Sequence, residues 1–220
     1  MEPIFQAILS GEPAVARLLR ATPQLHGVQI SADELVESIP HWLYRGDIPL
    51  HLAAAALKPR IAKLLLDAGS DPNTKNRRGA TPLHYACDAR PSAGGLWDPM
   101  AQVALIDVLA EHGAQLNVGD RGGATPLHRA ARSRSASAVR QLLACGARTD
   151  GRLRQRGSTA LHLAAQSTGA GGTAGTLEAQ LQIIALLRQA GTDFAAVDDN
   201  QRTARDWATD PRVAEALYLP

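Results

Sequence analysis

The chain contains 220 residues, of which 45% are hydrophobic and 20% are charged, and its formal net charge is +2. This balance is typical of a folded globular protein and excludes an intrinsically disordered chain. Aromatic residues make up only 4% of the sequence, whereas Ala, Leu and Gly are abundant. We therefore expect helices packed closely on helices rather than a β-sandwich.

The sequence also indicates a compartment. Its first residues, MEPIFQAILSGEP, lack the basic region and long apolar run of a signal peptide. No stretch approaches the roughly 18 apolar residues of a membrane-spanning helix. The two cysteines, Cys87 and Cys145, lie far apart in the sequence and do not suggest a disulfide framework. These features predict a cytoplasmic protein that does not associate with membranes.

The small net charge conceals a segregation along the chain. Residues 74–156 carry 13 basic and 6 acidic side chains, whereas residues 1–73 carry 6 and 8, and residues 157–220 carry 4 and 7. Of the 23 basic residues, 20 are arginine. The basic middle of the chain therefore offers planar guanidinium groups, which bind carboxylates and phosphates through several donors.

A short motif recurs along the chain and sets its organisation. Its copies read IPLHLAA, TPLHYAC, TPLHRAA, TALHLAA and, more weakly, TARDWAT. Their second positions are Pro49, Pro82, Pro126, Ala160 and Ala204, so the steps between copies are 33, 44, 34 and 44 residues. A recurring period in this range predicts a solenoid built by stacking one supersecondary unit.

These motifs carry a family resemblance. The TPLHxA stretch, the following LLLxxGxxxN pattern and the Asp/Asn-x-x-Gly-x-Thr-Pro stretch before the next motif resemble the ankyrin repeat. The resemblance covers nearly all of residues 4–218 outside the insertions. It implies an all-α fold, an ankyrin-repeat α-solenoid of stacked helix-turn-helix units with hairpin-like finger loops. It also implies a protein-binding module.

We expect residues 1–220 to form a single repeat array. The longer steps exceed 33 residues by 11, and alignment from the glycine after each second helix places the extra residues between the two helices of repeats 2 and 4. The predicted segments are an N-terminal helical-hairpin cap at 4–25, an insert at 26–43, repeat 1 at 44–76, repeat 2 at 77–120 with an insertion near 88–100, repeat 3 at 121–153, repeat 4 at 154–197 with a Gly-rich insertion near 166–176, and a C-terminal capping repeat at 198–220.

The insert at 26–43 departs from the repeat pattern. Ser31 and Glu34 have the spacing of a capping box, which predicts a short helix over ADELVESI that ends near Pro40. Its apolar residues, Leu35 among them, give the insert one apolar side. The insert either folds onto the first finger loops as an extra cap or occludes and shapes a binding groove.

Four histidines, His51, His84, His128 and His162, occupy the same motif position. A ladder of metal sites is excluded by distance, because neighbouring helices pack about 8–10 Å apart whereas Zn–N bonds are about 2 Å long. The resemblance instead implies that each histidine is a structural hydrogen-bonding group near the start of the first helix.

Catalytic patterns are missing from the sequence. The Gly-rich run at 169–175 follows a predicted helix and lacks the Lys-Ser/Thr of a phosphate-binding loop. No HExxH motif occurs, and no serine or cysteine has the context of a nucleophile elbow. We therefore predict a non-enzymatic protein that has no cofactor and no metal ion.

The finger positions and the open position of TPLHxA are those that ankyrin-like proteins present to partners. The candidate partner-binding residues at or next to them are Arg77, Arg78, Tyr85, Arg121, Arg129, Arg132, Arg152, Arg154 and Arg156. Trp97, in the repeat 2 insertion, is a further candidate, either as an exposed interface anchor or as a residue that packs within its loop.

These arginines form a predicted basic strip across the fingers of repeats 2 to 4. The strip is either a solvated charged surface or a binding site, and three functions remain open for it. The preferred hypothesis is a monomeric interaction scaffold that presents a concave, Arg-rich surface to an acidic protein partner. The first alternative is nucleic-acid or phosphate-ligand binding by the same basic strip, and the second is a regulatory subunit of a separate enzyme. A steep loss of binding to nucleic acid with added salt would favour the first alternative.

Overall fold

The computed structural model describes residues 2–39, 41–88, 97–166 and 176–218. Its helices are α1 (Pro3–Ser10), α2 (Glu12–Ala21), α3 (Pro49–Ala55), α4 (Pro59–Asp67), α5 (Pro82–Asp88), α6 (Pro99–Glu111), α7 (Pro126–Arg132), α8 (Ala136–Ala144), α9 (Ala160–Ala165), α10 (Thr176–Gln189) and α11 (Pro211–Ala216). Strands β1 (Glu34–Val36) and β2 (His41–Leu43) pair antiparallel, and 3₁₀ turns cover Pro23–Gly27 and Ala204–Trp207. No helix in the described ranges is long and apolar enough to span a bilayer.

The recurring motif forms the first helix of each pair. Pro49, Pro82 and Pro126 are the first residues of α3, α5 and α7, where proline is favoured because its missing N–H would have no intrahelical partner. In the pair that begins with α3, the second helix, α4, ends at Asp67 and is closed off by Gly69, whose positive φ of 103° lets Ser70 N–H donate to Leu65 O at 2.9 Å. The motif and this glycine thus fix both ends of the helix pair.

The described residues cluster into two compact units. The first unit contains residues up to Ala86 together with Met100–Gln115. Within it α1 packs on α3 and α2 packs on α4, so the N-terminal helical hairpin covers the first motif-bearing pair. The fully buried core residues of this unit include Phe5, Ile8, Leu43, Leu50, Leu65, Leu83, Leu105 and Leu109.

The second unit contains the remaining residues. Within it α7 packs on α8 and α9, and α10 packs on α8, α9 and α11, which is the arrangement of successively stacked helix pairs. Its buried core residues include Leu127, Val139, Leu142, Leu161, Ile183 and Leu187. The predicted insertions near 88–100 and 166–176 fall largely on residues 89–96 and 167–175, which lie outside the described residues, as does the Gly-rich run at 169–175.

The helix predicted over ADELVESI is wrong, because this segment forms the β1–β2 hairpin instead. Leu35 pairs with Trp42 across the two strands. Val36 and Leu43 are buried at 3% and 0% exposure, so alternate side chains anchor the hairpin in the core. A helix this short is marginal by itself. Asp33, next to the predicted helix start, accepts the Arg45 N–H across the base of the hairpin at 3.0 Å.

Candidate functional site

Three of the finger loops are tight turns, each closed by the side chain of its first residue. In the second unit Asp120 Oδ1 accepts hydrogen bonds from Gly122 N–H at 2.8 Å and from Ala124 N–H at 3.0 Å. Asn76 and Asp198 close their fingers in the same way. The finger at 153–158 is one residue longer and is closed by backbone hydrogen bonds between Leu153 and the Gly157 and Ser158 end. These turns hold the fingertip residues in fixed positions.

Three of the motif histidines join a first helix to the following finger. His128 Nδ1 lies 3.3 Å from the Thr125 backbone nitrogen, which donates to it, and Nε2 lies 3.3 Å from Ser158 O. His51 makes the equivalent contacts with Ile48 N–H and Ala80 O, and His162 with Thr159 N–H and Arg202 O. His84 likewise accepts the Thr81 N–H at 3.1 Å. Burial lowers the pKa of His51 and His162, and that of His128 to about 4.

In the first unit, both predicted finger arginines have partners, Arg77 in the insert and Arg78 at Tyr44, the residue that follows it. Arg77 forms an ion pair with Asp33, and its Nε donates to Asp33 Oδ1 at 2.7 Å. Arg78 Nη1 donates to the Tyr44 hydroxyl at 2.6 Å, and its guanidinium lies 4.6 Å from the centre of the Tyr44 ring. The insert therefore folds onto this finger and neutralises Arg77.

The prediction that Tyr85 faces a partner is wrong, because its side chain is buried at 3% exposure. Its hydroxyl donates to Asp47 Oδ2 at 2.7 Å and accepts from Asn76 Nδ2 at 2.9 Å. The rings of His41 and His51 contact it edge-on, with centroids at 4.6 and 5.2 Å. Burial raises the pKa of Tyr85, and the Asp47 carboxylate raises it further. Tyr85 is therefore a hydrogen-bonded core residue.

Asp47 organises this buried cluster and was not singled out from the sequence. It is fully buried and accepts hydrogen bonds from Tyr44 N–H at 2.7 Å and Asn76 Nδ2 at 2.8 Å, besides that from Tyr85. The sequence did carry a signal. Asp47 precedes its motif at the position where the later copies have the small residues Ala80, Ala124 and Ser158.

Two further predicted arginines, Arg129 and Arg132, are paired within the second unit. Arg129 is mostly buried and forms ion pairs with Asp88 and Asp120. Burial acts to lower the pKa of Arg129, but the two carboxylates raise it above its ordinary value. Arg132 is more exposed and lies 3.1 Å from Asp88. Because both Nη groups of Arg129 are already paired, few of its N–H donors remain available to a partner.

The remaining finger arginines are exposed. Within the described ranges, Arg121, Arg154 and Arg156 have no carboxylate at ion-pair distance, and we refer to these three as the fingertip arginines. Arg152 is also exposed, but it donates to Gly157 O at 3.0 Å and to Val197 O at 2.7 Å. Through these two hydrogen bonds Arg152 stabilises its own finger and connects it to the chain at Val197.

Backbone contacts tie the neighbouring fingers of the second unit together. Arg154 N–H donates to Gly122 O at 2.8 Å. A Cβ added at Gly123, where φ is 83°, would lie only 2.8 Å from Arg152 O, so this contact requires glycine. On the other side, Asp199 N–H donates to Arg156 O at 2.9 Å. The fingertip arginines thus project from adjacent, mutually braced turns.

Of the tryptophans, Trp97 is partly buried whereas Trp42 is 50% exposed. Trp42 lies in the insert, and its cross-strand pairing with Leu35 was missed because Leu35 was predicted to lie in a helix. No group of three or more His, Cys, Asp or Glu side chains is placed to hold a metal ion among the residues that the structure describes.

Stacked helix pairs, braced fingers and the links of His51, His128 and His162 to the next finger define a helical repeat protein that presents side chains on its fingers. The family described as Ankyrin repeats (3 copies) matches residues 1–97, 50–152 and 100–198. The chain belongs to the ankyrin repeat family. Repeats of this family generally serve as protein-protein interaction modules and are typically non-catalytic.

Individual proteins are similar over shorter stretches. NF-kappa-B inhibitor alpha of Sus scrofa is 44% identical over 63 residues, which are 28% of this chain and 20% of that protein. The Homo sapiens NF-kappa-B inhibitor alpha is 55% identical over 40 residues, 18% of this chain and 13% of its own length. Neurogenic locus notch homolog protein 4 of Homo sapiens is 50% identical over 52 residues, 23% of this chain and 3% of its own length. The matches thus span a fifth or less of these relatives.

Proposed function

We propose that this chain is a non-enzymatic interaction module that binds an acidic segment of a protein partner through the fingertip arginines Arg121, Arg154 and Arg156. One observation carries the proposal. These three guanidinium groups are exposed on adjacent fingers and have no carboxylate partner in the described part of the chain. The other predicted finger arginines of the basic strip are paired or hydrogen-bonded within the chain.

Charge-assisted hydrogen bonds suit this arrangement. A guanidinium can bind a carboxylate through two parallel N–H donors, and such bonds are about twice as strong as neutral ones. The hydrogen bonds from Arg154 N–H to Gly122 O and from Asp199 N–H to Arg156 O hold the finger backbones in place before binding. An acidic segment would therefore meet a surface whose backbone is already ordered, which lowers the entropic cost of association.

A protein partner fits these fingers better than a nucleic acid does. Single-stranded nucleic acids are bound by basic grooves together with aromatic side chains on which the bases stack. The finger residues 118–124, 150–158 and 198–203 contain no aromatic side chain. The relative NF-kappa-B inhibitor alpha is likewise named for its action on a partner, NF-kappa-B.

The test compares two variants of equal charge change. In one, the fingertip arginines are all replaced by Glu (Arg121→Glu/Arg154→Glu/Arg156→Glu). In the control, three exposed arginines of the first unit that lie outside the fingers are replaced instead (Arg17→Glu/Arg20→Glu/Arg60→Glu). Each variant and the wild type are used to capture proteins from native lysate, and then titrated with a fluorescent Glu-rich peptide and with single-stranded DNA.

We expect the fingertip variant to lose the captured partners and to bind the Glu-rich peptide at least about tenfold more weakly, while the control keeps both. Equal losses in the two variants would mean that net charge alone drives binding. Tight, steeply salt-dependent binding of DNA by the wild type, with no binding of the peptide, would replace the proposed partner by a nucleic acid.

A further inference from the structure

The β1–β2 hairpin has one buried side and one exposed side. Val36 and Leu43 point into the core, at 3% and 0% exposure, whereas Leu35 and Trp42 are 44% and 50% exposed. Leu35 and Trp42 are direct cross-strand partners. Side chains opposite each other on paired strands have Cβ atoms about 4.5–5.5 Å apart, so these two form one continuous apolar patch.

A guanidinium stacked on an aromatic ring adjoins this patch. Alternation along the extended segment places Tyr44 on the same side as Trp42. The Tyr44 ring lies under Arg78, whose guanidinium carbon is 4.6 Å from the ring centre. Asp33 is already paired with Arg77, and within the described ranges no carboxylate lies at ion-pair distance from Arg78. Arg78 is exposed and uses only its Nη1 group on Tyr44, so several of its N–H donors remain open.

We propose that this surface, the hairpin face of Leu35, Trp42, Tyr44 and Arg78, is a second docking site, and that its occupant is a partner-protein segment combining an apolar with an acidic residue. Trp, Tyr and Arg are the residues in which interface hot spots are enriched. The apolar side chain of the partner segment packs on Leu35 and Trp42. The acidic residue pairs with Arg78.

Charge also fixes the direction of the segment. Glu37 is exposed at the turn of the hairpin, next to Val36, whereas Arg78 lies at its base beside Tyr44. A second acidic residue near the turn would be repelled by Glu37, while a basic residue there would be attracted. The matching order along the segment, from base to turn, is acidic, apolar and then neutral or basic.

Hydrogen bonds anchor the base of the hairpin before binding. Ile30 N–H donates to Asp47 O at 2.8 Å, and Gly46 N–H donates to Ile30 O at 2.9 Å, so the segment before β1 is tied to the turn that follows Tyr44. The fully buried Asp47 carboxylate then fixes Tyr44 through its backbone N–H. Docking therefore needs little ordering of this surface, and the cost of association falls accordingly.

The experiment selects random peptides displayed on phage against the intact chain and measures the enriched peptides by fluorescence polarisation. The test variant is Leu35→Thr/Trp42→Thr, because threonine is favoured in strands and preserves the hairpin. The matched control is Leu9→Gln, which changes a leucine of similar exposure, 37%, on α1. Far-UV circular dichroism and thermal unfolding check that each variant folds, and Leu35→Thr alone serves if the double variant does not.

We expect enriched peptides with adjacent acidic and apolar residues that bind the Leu35→Thr/Trp42→Thr variant at least about tenfold more weakly and bind Leu9→Gln as they bind the wild type. Arg78→Ser should weaken the same peptides and reduce the salt dependence of binding. The triple Glu variant of the fingertip arginines should bind them unchanged, which separates this site from the one proposed above.

Three results would overturn the proposal. In the first, no enriched peptide depends on Leu35 and Trp42. In the second, the dependent peptides are basic rather than acidic. In the third, sedimentation shows that the wild type self-associates through this face and that the double variant does not, so that the occupant is a second copy of the chain.

Discussion

Acid should destabilise this protein well above the pH at which carboxylates titrate, and His128 provides the clearest case. The His128 ring is 1% exposed, and its Nδ1 accepts hydrogen bonds from the Thr125 backbone N–H and hydroxyl at 3.3 and 2.9 Å. A second ring proton would point at these donors. Burial accordingly lowers the pKa of His128 from its ordinary value of 6.5 to about 4.

The sign of the effect follows from linkage. Between pH 6.5 and pH 4 the unfolded chain binds a proton at His128 that the folded chain does not, so the free energy of unfolding falls as the pH falls. With these two pKa values, the loss from pH 7 to pH 5 is about 2 kcal/mol for His128 alone. His51 and His162 add to it in the same direction, because burial lowers the pKa of each.

The assay is urea unfolding at pH 7 and at pH 5. Carboxylates contribute little over this interval, since an unfolded Asp titrates near pH 4 and hydrogen bonds hold the pKa of buried Asp198 at about 2 against the opposing effect of burial. The variant His128→Gln keeps an N–H donor for Ser158 O but does not titrate. It should therefore lose about 2 kcal/mol less than the wild type between the two pH values. Equal losses in the two proteins would refute the assignment to His128.

Three further predictions concern stability at neutral pH, each measured by urea unfolding. Tyr85→Phe should lower the free energy of unfolding by about 2 kcal/mol, because buried Asp47 loses a hydrogen-bond donor. The control Tyr44→Phe, at a partly exposed residue, should lower it by less than about 0.5 kcal/mol. Similar losses in the two variants would contradict the importance of the buried cluster around Asp47. Arg134→Gly relieves the strain of a φ of 60° but removes the donors to Ala131 O, Leu163 O and Gln166 O. We therefore expect the free energy of unfolding to fall by about 2 kcal/mol. A rise instead would show that the backbone strain outweighs the lost hydrogen bonds. Gln201→Gly should stabilise by about 1 kcal/mol, because φ is 59° where other fingers have glycine, and Gln201→Ala should not.

The repeat fold was predictable because its signals are local. Proline at the first helical position and glycine after the second helix each act within one helix pair, and the motif spacing gave the period directly. In the structure α3 begins at Pro49 and α7 at Pro126, both within the recurring motif. Local rules transfer from sequence to structure without knowledge of what else packs nearby.

The insert was mispredicted for the opposite reason. Ser31 and Glu34 have the spacing of a helix cap, but tertiary contacts decide the conformation of such a short segment. Burial of Val36 and Leu43 favours extended strands, in which every second side chain faces the core. The Asp33 carboxylate accepts hydrogen bonds from Arg45 and Arg77 and does not begin a helix. These partners are 12 and 44 residues away from Asp33, beyond the reach of any local pattern.

The basic strip shows how far residue type alone can carry a functional prediction. Arg77, Arg129 and Arg121 occupy finger or motif positions that look alike in the sequence. Asp33 neutralises Arg77, and Asp88 and Asp120 neutralise Arg129, but no described carboxylate reaches Arg121. Whether an arginine is free to bind a partner is thus decided by carboxylates distant in sequence. A pair already made inside the chain must be broken before either group can bind elsewhere, and this is why the proposed binding site uses the fingertip arginines.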